Sequence, residues 1–256
     1  RRDAFLNSIQ PVAANVPYHT ACGNHEARGD FAQYRARFSH LPNAGGGGMW
    51  HSFDAGLVHV VMFSAEVWFF PNRHGMGLLE QQYAWLEKDL AAVDRTRTPW
   101  VVAAAHRPMY CSPNDDRDEC HRRGSFMRTG VLGQYGFEEL LHRYGVDIYF
   151  GAHEHSYERL LPVFDGHYRA GGDAYIEPNA TVHITVGAAG CQEGTDPWKP
   201  HGLPFSAKRL QLYGFGVLTV ESRNYLKWEQ VDDATGEVVD EVAIVRSSHG
   251  PFPQVQ

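Results

Sequence analysis

The sequence predicts an α/β protein, a layered sheet with helices outside, running into a strand-rich tail. Two observations carry this. Through most of the 256 residues, short apolar runs rich in Val, Phe and Ile alternate with helix-periodic segments, the pattern of strands joined by helical crossovers. From about 182 to 246 the helical spacing disappears and strand-like runs follow one another. No repeat, low-complexity tract or charge block divides the chain, so it reads as one domain, although 45–48 and 171–172 are glycine runs expected to be flexible turns.

In order, residues 59–64 predict a buried strand. In 78–93, Leu79, Tyr83, Leu86, Leu90 and Val93 recur near helical spacing, predicting an amphipathic helix packed on the sheet. Residues 100–105 predict a second strand, 136–144 a helix, and 146–150 a third strand after Gly145. The tail predicts strands at 182–186, 216–220, 225–231 and 238–245, the last two joined through residues 232–236 as a hairpin.

Composition excludes some functions. With 23 Lys and Arg against 30 Asp and Glu, the formal charge is −7, the wrong sign for a strongly basic nucleic-acid binder. The longest apolar runs, 58–63 and 100–105, fall far short of the roughly 20 residues that cross a bilayer. The chain opens on Arg1-Arg2-Asp3, with no methionine and no signal-like stretch, and is expected to be part of a longer protein. Cys111 and Cys120 bracket a polar loop and are expected to form a disulfide. Asn179-Ala180-Thr181 is a glycosylation sequon, and with that disulfide it leans towards a secretory compartment. Cys22 and Cys191, each beside a glycine, read as small buried thiols or as a pair.

Three clusters can do chemistry, each at or near a predicted strand end, where open α/β sheets place their ligands. They are Gly23-Asn24-His25-Glu26, His106-Arg107-Pro108 and Gly151-Ala152-His153-Glu154-His155. Imidazoles from His106, His153 and His155 suit zinc or iron, and the Asn24 amide is a neutral oxygen donor that leaves charge on the metal for activating water. Read singly, each has a plainer role: Asn24 as a turn residue tolerating a left-handed backbone, Glu154 and Glu158 as solvated or salt-bridged carboxylates. His19, His40, His51, His59, His74, His142, His167, His183, His201 and His249 lack a partner cluster and are assigned to surface or hydrogen-bonded positions. His121 stays open, as a residue that a charged loop could present to a substrate oxygen.

The order G-N-H-E (23–26), A-H-R-P-M-Y (105–110) and A-H-E-H-S-Y-E-R (152–159) resembles the last three signature blocks of the purple acid phosphatases, within the calcineurin-like metallophosphoesterases. Pro17-Tyr18, Cys111, residues 187–191 and the closing 242–246 suggest the long animal-type branch. The resemblance implies a four-layer αββα sandwich, of which residues 1–256 are the C-terminal portion. It implies a two-metal site, Fe(III) with a divalent Fe, Zn or Mn, that hydrolyses small phosphomonoesters or phosphoproteins at acidic pH. By position, Asn24, His106 and His153 match the ligands of the divalent metal, His155 matches a ferric ligand, and His25 matches the histidine that binds phosphate and protonates the leaving group. The earlier D-x-G and G-D-x-x-Y blocks, which supply the remaining ligands, are absent. Cys22 stands where proline is expected before Gly23. Two alternatives follow: a catalytically inactive truncated homologue serving as a folded or binding domain, and a mononuclear zinc hydrolase using Asn24, His106 and His153 alone. Substrate choice would fall to loops 111–121 and 192–209.

Overall fold

The structure, a computed structural model, describes residues 2–112, 125–171 and 173–253. In chain order come helices α1 (Arg2–Ala13) and α2 (Ala32–Phe38), the hairpin strands β1 (His51–Ala55) and β2 (Val58–Met62), and helices α3 (Glu66–Phe69) and α4 (Pro71–Ala91). Strand β3 (Trp100–Ala104), helices α5 (Phe126–Thr129) and α6 (Phe137–Tyr144), and strands β4 (Ile148–Gly151) and β5 (Tyr157–Leu160) follow. The short hairpin β6 (Val163–Phe164) and β7 (His167–Tyr168) precedes β8 (Val182–Val186), β9 (Ser206–Leu210), β10 (Gly214–Val220), β11 (Tyr225–Asp232) and β12 (Val238–Val245).

Seven strands form one sheet in the order β1-β2-β3-β4-β8-β5-β9, and β10-β11-β12 form a second, antiparallel one. Strands β2, β3, β4 and β8 run parallel, which aligns their C-terminal ends along one edge. The expected α/β class and the 232–236 hairpin are present, with β11 and β12 antiparallel as predicted. Helix α4 starts at Pro71, ahead of its periodic residues, because proline suits a first turn whose N–H groups have no helical partner.

Side-chain alternation explains the layers. In β3, Val101 and Ala103 enter a core shared with Leu79, Leu86 and Leu90 of α4 and with Phe137, Leu140 and Leu141 of α6. Their neighbours Trp100 and Val102 point the other way, into a second core with Leu226, Trp228, Val242 and Ile244 of the small sheet. A strand buried on both faces reads as a continuous apolar run, as 100–105 does. Among the described residues no helix contributes to the second core, which lies between the two sheets.

Strand β5 was not foreseen, because its Tyr-Glu-Arg-Leu sequence carries two charges. All four residues are buried, and polar partners offset the charge. The Glu158 carboxylate accepts from Ser112 N (2.8 Å), Ser112 Oγ (2.6 Å) and Ser206 Oγ (2.6 Å), so it is neither solvated nor salt-bridged as expected. Burial raises its pKa, and those three bonds offset part of the rise. Arg159 forks onto Asp240 of β12, with Nε and Nη2 at 2.7 and 2.9 Å from its two oxygens. Tyr157 donates to the same carboxylate at 2.7 Å and accepts from Trp228 Nε1 at 3.1 Å, so one polar knot joins the two sheets.

The glycine run 45–48 is a packed turn, contrary to the flexible one expected. A Cβ at Gly45 would lie 2.0 Å from Trp50 Nε1, and one at Gly48 would lie 2.2 Å from Phe38 O. Gly46, Gly47 and Gly48 also hold positive φ, where L side chains are strained.

His59 is hydrogen-bonded, as assigned, and bridges three elements. Its Nδ1 lies 2.7 Å from Asp54 of β1 and its Nε2 2.9 Å from Asp89 of α4, whose other oxygen accepts from Ser52 and Asn43. Asp94, Arg97 and Thr98 line the same recess. Burial opposes the imidazolium, but the two carboxylates outweigh it and hold the His59 pKa above its ordinary 6.5. The folded state therefore binds this proton more tightly than the unfolded chain. Its contribution to stability is complete below pH 6.5 and is lost as pH rises through the elevated folded value. We expect the denaturant midpoint to fall over that window in the native protein, and a His59→Gln variant to lose that slope. Equal slopes in urea titrations of the two proteins would refute the linkage.

Candidate metal centre

The three chemical clusters meet at the edge where β2, β3, β4 and β8 end. His106 follows β3, and His153 and His155 lie in the five-residue span between β4 and β5. Residues Asn24–Glu26 form one 3-10 turn, closed reciprocally: Glu26 Oε2 accepts from Gly23 N at 3.0 Å while Gly23 O accepts from Glu26 N at 3.1 Å. Gly23 is needed because a Cβ there would lie 2.9 Å from the His106 ring. Asn24 is not left-handed; the left-handed residue of the site is His153, at φ 65°.

Three expected residues converge. His106 Nε2 lies 2.9 Å from Asn24 Oδ1 and 3.1 Å from His153 Nδ1, with the two rings edge-on at 76°. Ligands bound to one cation at about 2.0–2.1 Å stand about 2.9–3.4 Å apart, depending on coordination number. Both spacings from His106 Nε2 fall in that range, and two imidazole nitrogens and one amide oxygen are suitable donors for a cation. Among the described residues no group of three His, Cys, Asp or Glu side chains is arranged to hold a metal; here the third donor is an amide.

His25 and His155 line the same cleft of about 420 Å³ without entering that trio. His25 is exposed. His155 Nδ1 faces Cys191 Sγ at 3.1 Å. His121 and Cys120 lie outside the described residues, as do all of residues 113–124, so neither the substrate role nor the Cys111–Cys120 bridge bears on this geometry. Cys22 and Cys191 are both free thiols, which removes the option that they pair. Cys22, in the place of the expected proline, is fully buried and donates to Ser64 Oγ at 3.2 Å. Burial pushes its pKa up to about 12, so it is an inert thiol.

The cleft is completed by residues given no role from sequence: Phe69, Phe70, Arg107, Glu193 and Asp196. The Arg107 Nε is 2.9 Å from the fully buried Glu66, and its guanidinium lies 4.1 Å from the Phe69 ring centroid. Tyr149 donates to the Arg107 carbonyl at 2.5 Å. Nη1 of Arg107 stands 3.5 Å from His153 Nε2, so a fixed cation lies beside the trio. Its adjacency to His106 was the only sequence signal for it. Asp196 and Glu193 come from the 192–209 loop, one of the two loops expected to shape the pocket.

Residues 2–157 match the calcineurin-like phosphoesterase family, and residues 180–241 match the iron/zinc purple acid phosphatase-like protein C family. The chain belongs to the calcineurin-like phosphoesterases, and its C-terminal segment is of the purple acid phosphatase kind. Among curated relatives it is 44% identical over 250 residues to acid phosphatase type 7 of Mus musculus, covering 95% of this chain and 56% of the relative. It is 43% identical to acid phosphatase type 7 of Homo sapiens, covering 97% of this chain and 57% of the relative. The fold matches a purple acid phosphatase isolated from yellow lupin (Lupinus luteus) seeds with a TM-score of 0.78 at 28% identity, over 95% of this chain and 43% of that one. The chain thus spans little more than half the length of these curated relatives. No helix among the described residues is long and apolar enough to cross a membrane.

Proposed function

We propose that this chain carries the catalytic C-terminal part of a metal-dependent acid phosphatase that hydrolyses phosphomonoesters, free or on proteins. The observation that carries the reading is the convergence of Asn24 Oδ1, His106 Nε2 and His153 Nδ1 within 3.1 Å steps. In this reading those three atoms hold a divalent Fe, Zn or Mn, and His155 serves a ferric ion. Carboxylate and phenolate ligands for that ion come from upstream D-x-G and G-D-x-x-Y blocks. When bound, two cations neutralise phosphoryl oxygens and make hydroxide available well below the ordinary pKa of water.

The chain's own side chains do the rest. Arg107, fixed by Glu66 and covered by Phe69, places a permanent positive charge beside the cleft where a phosphate carries its negative oxygens. His25, exposed on the cleft wall, donates a proton to the leaving alkoxide oxygen and must be an imidazolium to do so. A requirement for charged histidine favours acidic pH. A secretory compartment, a disulfide from Cys111 to Cys120 and a glycan on Asn179 complete the reading; Asn179 is exposed at a turn, where a glycan is accommodated.

The test is metal analysis of the full-length protein alongside turnover of p-nitrophenyl phosphate. Two metal equivalents including iron, with activity highest below pH 7, are expected; one zinc equivalent points instead to a mononuclear hydrolase. A second reading is an inactive homologue that folds and binds without turnover. Full-length protein without metal and without phosphatase activity would establish it. For His25→Ala we expect turnover to fall about 100-fold with metal content unchanged. Loss of metal in that variant would reassign His25 as a ligand.

A further inference from the structure

Cys191 takes no part in the chemistry described so far, yet its sulfur makes two close contacts at the site. Sγ lies 2.9 Å from the Gly194 carbonyl oxygen and 3.1 Å from His155 Nδ1. Each contact needs a proton between its heavy atoms, since sulfur, carbonyl oxygen and an imidazole lone pair repel one another at that range. Two contacts need two protons, and a thiol carries one. The Gly194 carbonyl has none to give, so the thiol proton goes to it. The proton of the other contact belongs to His155 Nδ1, with sulfur accepting.

We propose that Cys191 is a positioning residue that holds His155 in its Nδ1–H tautomer, leaving the Nε2 lone pair as the ring's only free donor. A ligating histidine characteristically donates its other N–H to a fixed partner, which sets the ring's orientation and raises its basicity. In this chain the partner is a thiol.

The loop that carries Cys191 is built for the purpose. It leaves β8 at Gly187, where a Cβ would lie 1.9 Å from the Glu154 carbonyl oxygen, so glycine lets the loop press directly onto the histidine segment. Asp196 then grips the His155 backbone from both sides: its carboxylate accepts from His155 N at 2.5 Å and its N–H donates to His155 O at 3.0 Å. Tyr213 Oη donates to the Cys191 carbonyl at 3.3 Å, and Gly214 N donates to Ala188 O at 2.9 Å, tying the loop to the start of β10. Backbone and ring of His155 are thus fixed by one segment, and Cys191 is the member that reads the ring.

The inference rests on the ligand role proposed for His155, but its test does not need metal. In full-length protein stripped of metal and labelled with 15N-histidine, long-range 1H–15N spectra distinguish a protonated ring nitrogen from one with a lone pair. The His155 signals are assigned by their loss in His155→Gln. At neutral pH we expect Nδ1 protonated and Nε2 bare in the wild type, a shift to Nε2–H in Cys191→Ala, and return to Nδ1–H in Cys191→Ser, whose hydroxyl can also donate once and accept once. Wild-type His155 protonated at Nε2, or a Cys191→Ala spectrum equal to wild type at unchanged Tm, would overturn the proposal. On reloading, Cys191→Ala should bind one metal equivalent about 10- to 100-fold more weakly and the other normally. A tautomer shift in a protein that binds no metal in any form would leave Cys191 in its role and defeat the phosphatase reading instead.

Discussion

Replacing His153 by alanine in the full-length protein is expected to lower p-nitrophenyl phosphate turnover by more than 100-fold while leaving the fold intact. Removing a group that only orients a ligand typically costs 10–100-fold in activity or metal affinity, and a ligand itself should cost more. His153 Nδ1 meets His106 Nε2 at 3.1 Å while its Nε2 faces the guanidinium of Arg107 at 3.5 Å. Alanine leaves that cation facing an empty position and removes one imidazole donor. Stability should fall only slightly, because alanine tolerates the positive φ of 65° at this position somewhat less well than histidine. His153→Asn is a useful companion, because asparagine tolerates the left-handed backbone yet restores no imidazole. Wild-type turnover in His153→Ala would refute the assignment. A Tm drop of many degrees would show that the residue serves the fold instead.

The largest effect on stability is expected far from the cleft, at Asp240. Its carboxylate is 7% exposed and takes both arms of Arg159, itself 10% exposed, together with the hydroxyl of Tyr157. Asp240→Ala strands a buried guanidinium, and breaking a buried pair by removing one partner costs about 3–5 kcal/mol. For a chain of this size each kcal/mol lowers Tm by roughly 2–4 °C, so a fall of about 10 °C is expected. Tyr157→Phe removes one hydrogen bond and leaves the ion pair, so it should cost only about 1 kcal/mol. Calorimetry on the two variants decides the matter: equal losses would mean that the ion pair contributes nothing beyond its neighbours. Because the knot joins β5, next to the His153–His155 segment, with β12 of the small sheet, partial loss of activity in Asp240→Ala at temperatures where the protein stays folded is also expected.

The strands that could be read in advance are those whose side chains meet one kind of environment. Residues 100–104 are apolar on both faces because they run through the middle of the large sheet, and 182–186 shows its strand through the alternating Val182, Ile184 and Val186. Strand β5 lies in the same sheet, yet Glu158 and Arg159 disguise it. Their partners, Ser112, Ser206 and Asp240, come from segments 46, 48 and 81 residues away, and no local pattern encodes such distances. Edge strands β1 and β9 alternate or thin out in burial and were missed for the related reason that half their residues face water.

The histidines divide in the same way. An isolated histidine says nothing from sequence, and His59 and His183 show why. His59 has its pKa raised by two aspartates, whereas the buried His183 has its pKa pushed down to about 3 by loss of solvent.

By itself the sequence determined the class of fold, the positions of its central strands along the chain and the identity of the chemical blocks, because period, apolar runs and short motifs are local properties of a chain. It also marked Asn24, His106 and His153 as candidates. Only the folded molecule decided that these three share one point in space while His155 turns to Cys191, that Arg107 stands beside them, and that the loop after β8 grips the histidine segment. Parallel strands ending at a common edge place His106 and His153, 47 residues apart, at hydrogen-bond range, and the 3-10 turn between α1 and α2 brings Asn24 to the same point from 82 residues away. Distance along a chain carries no record of such an approach; packing alone creates it.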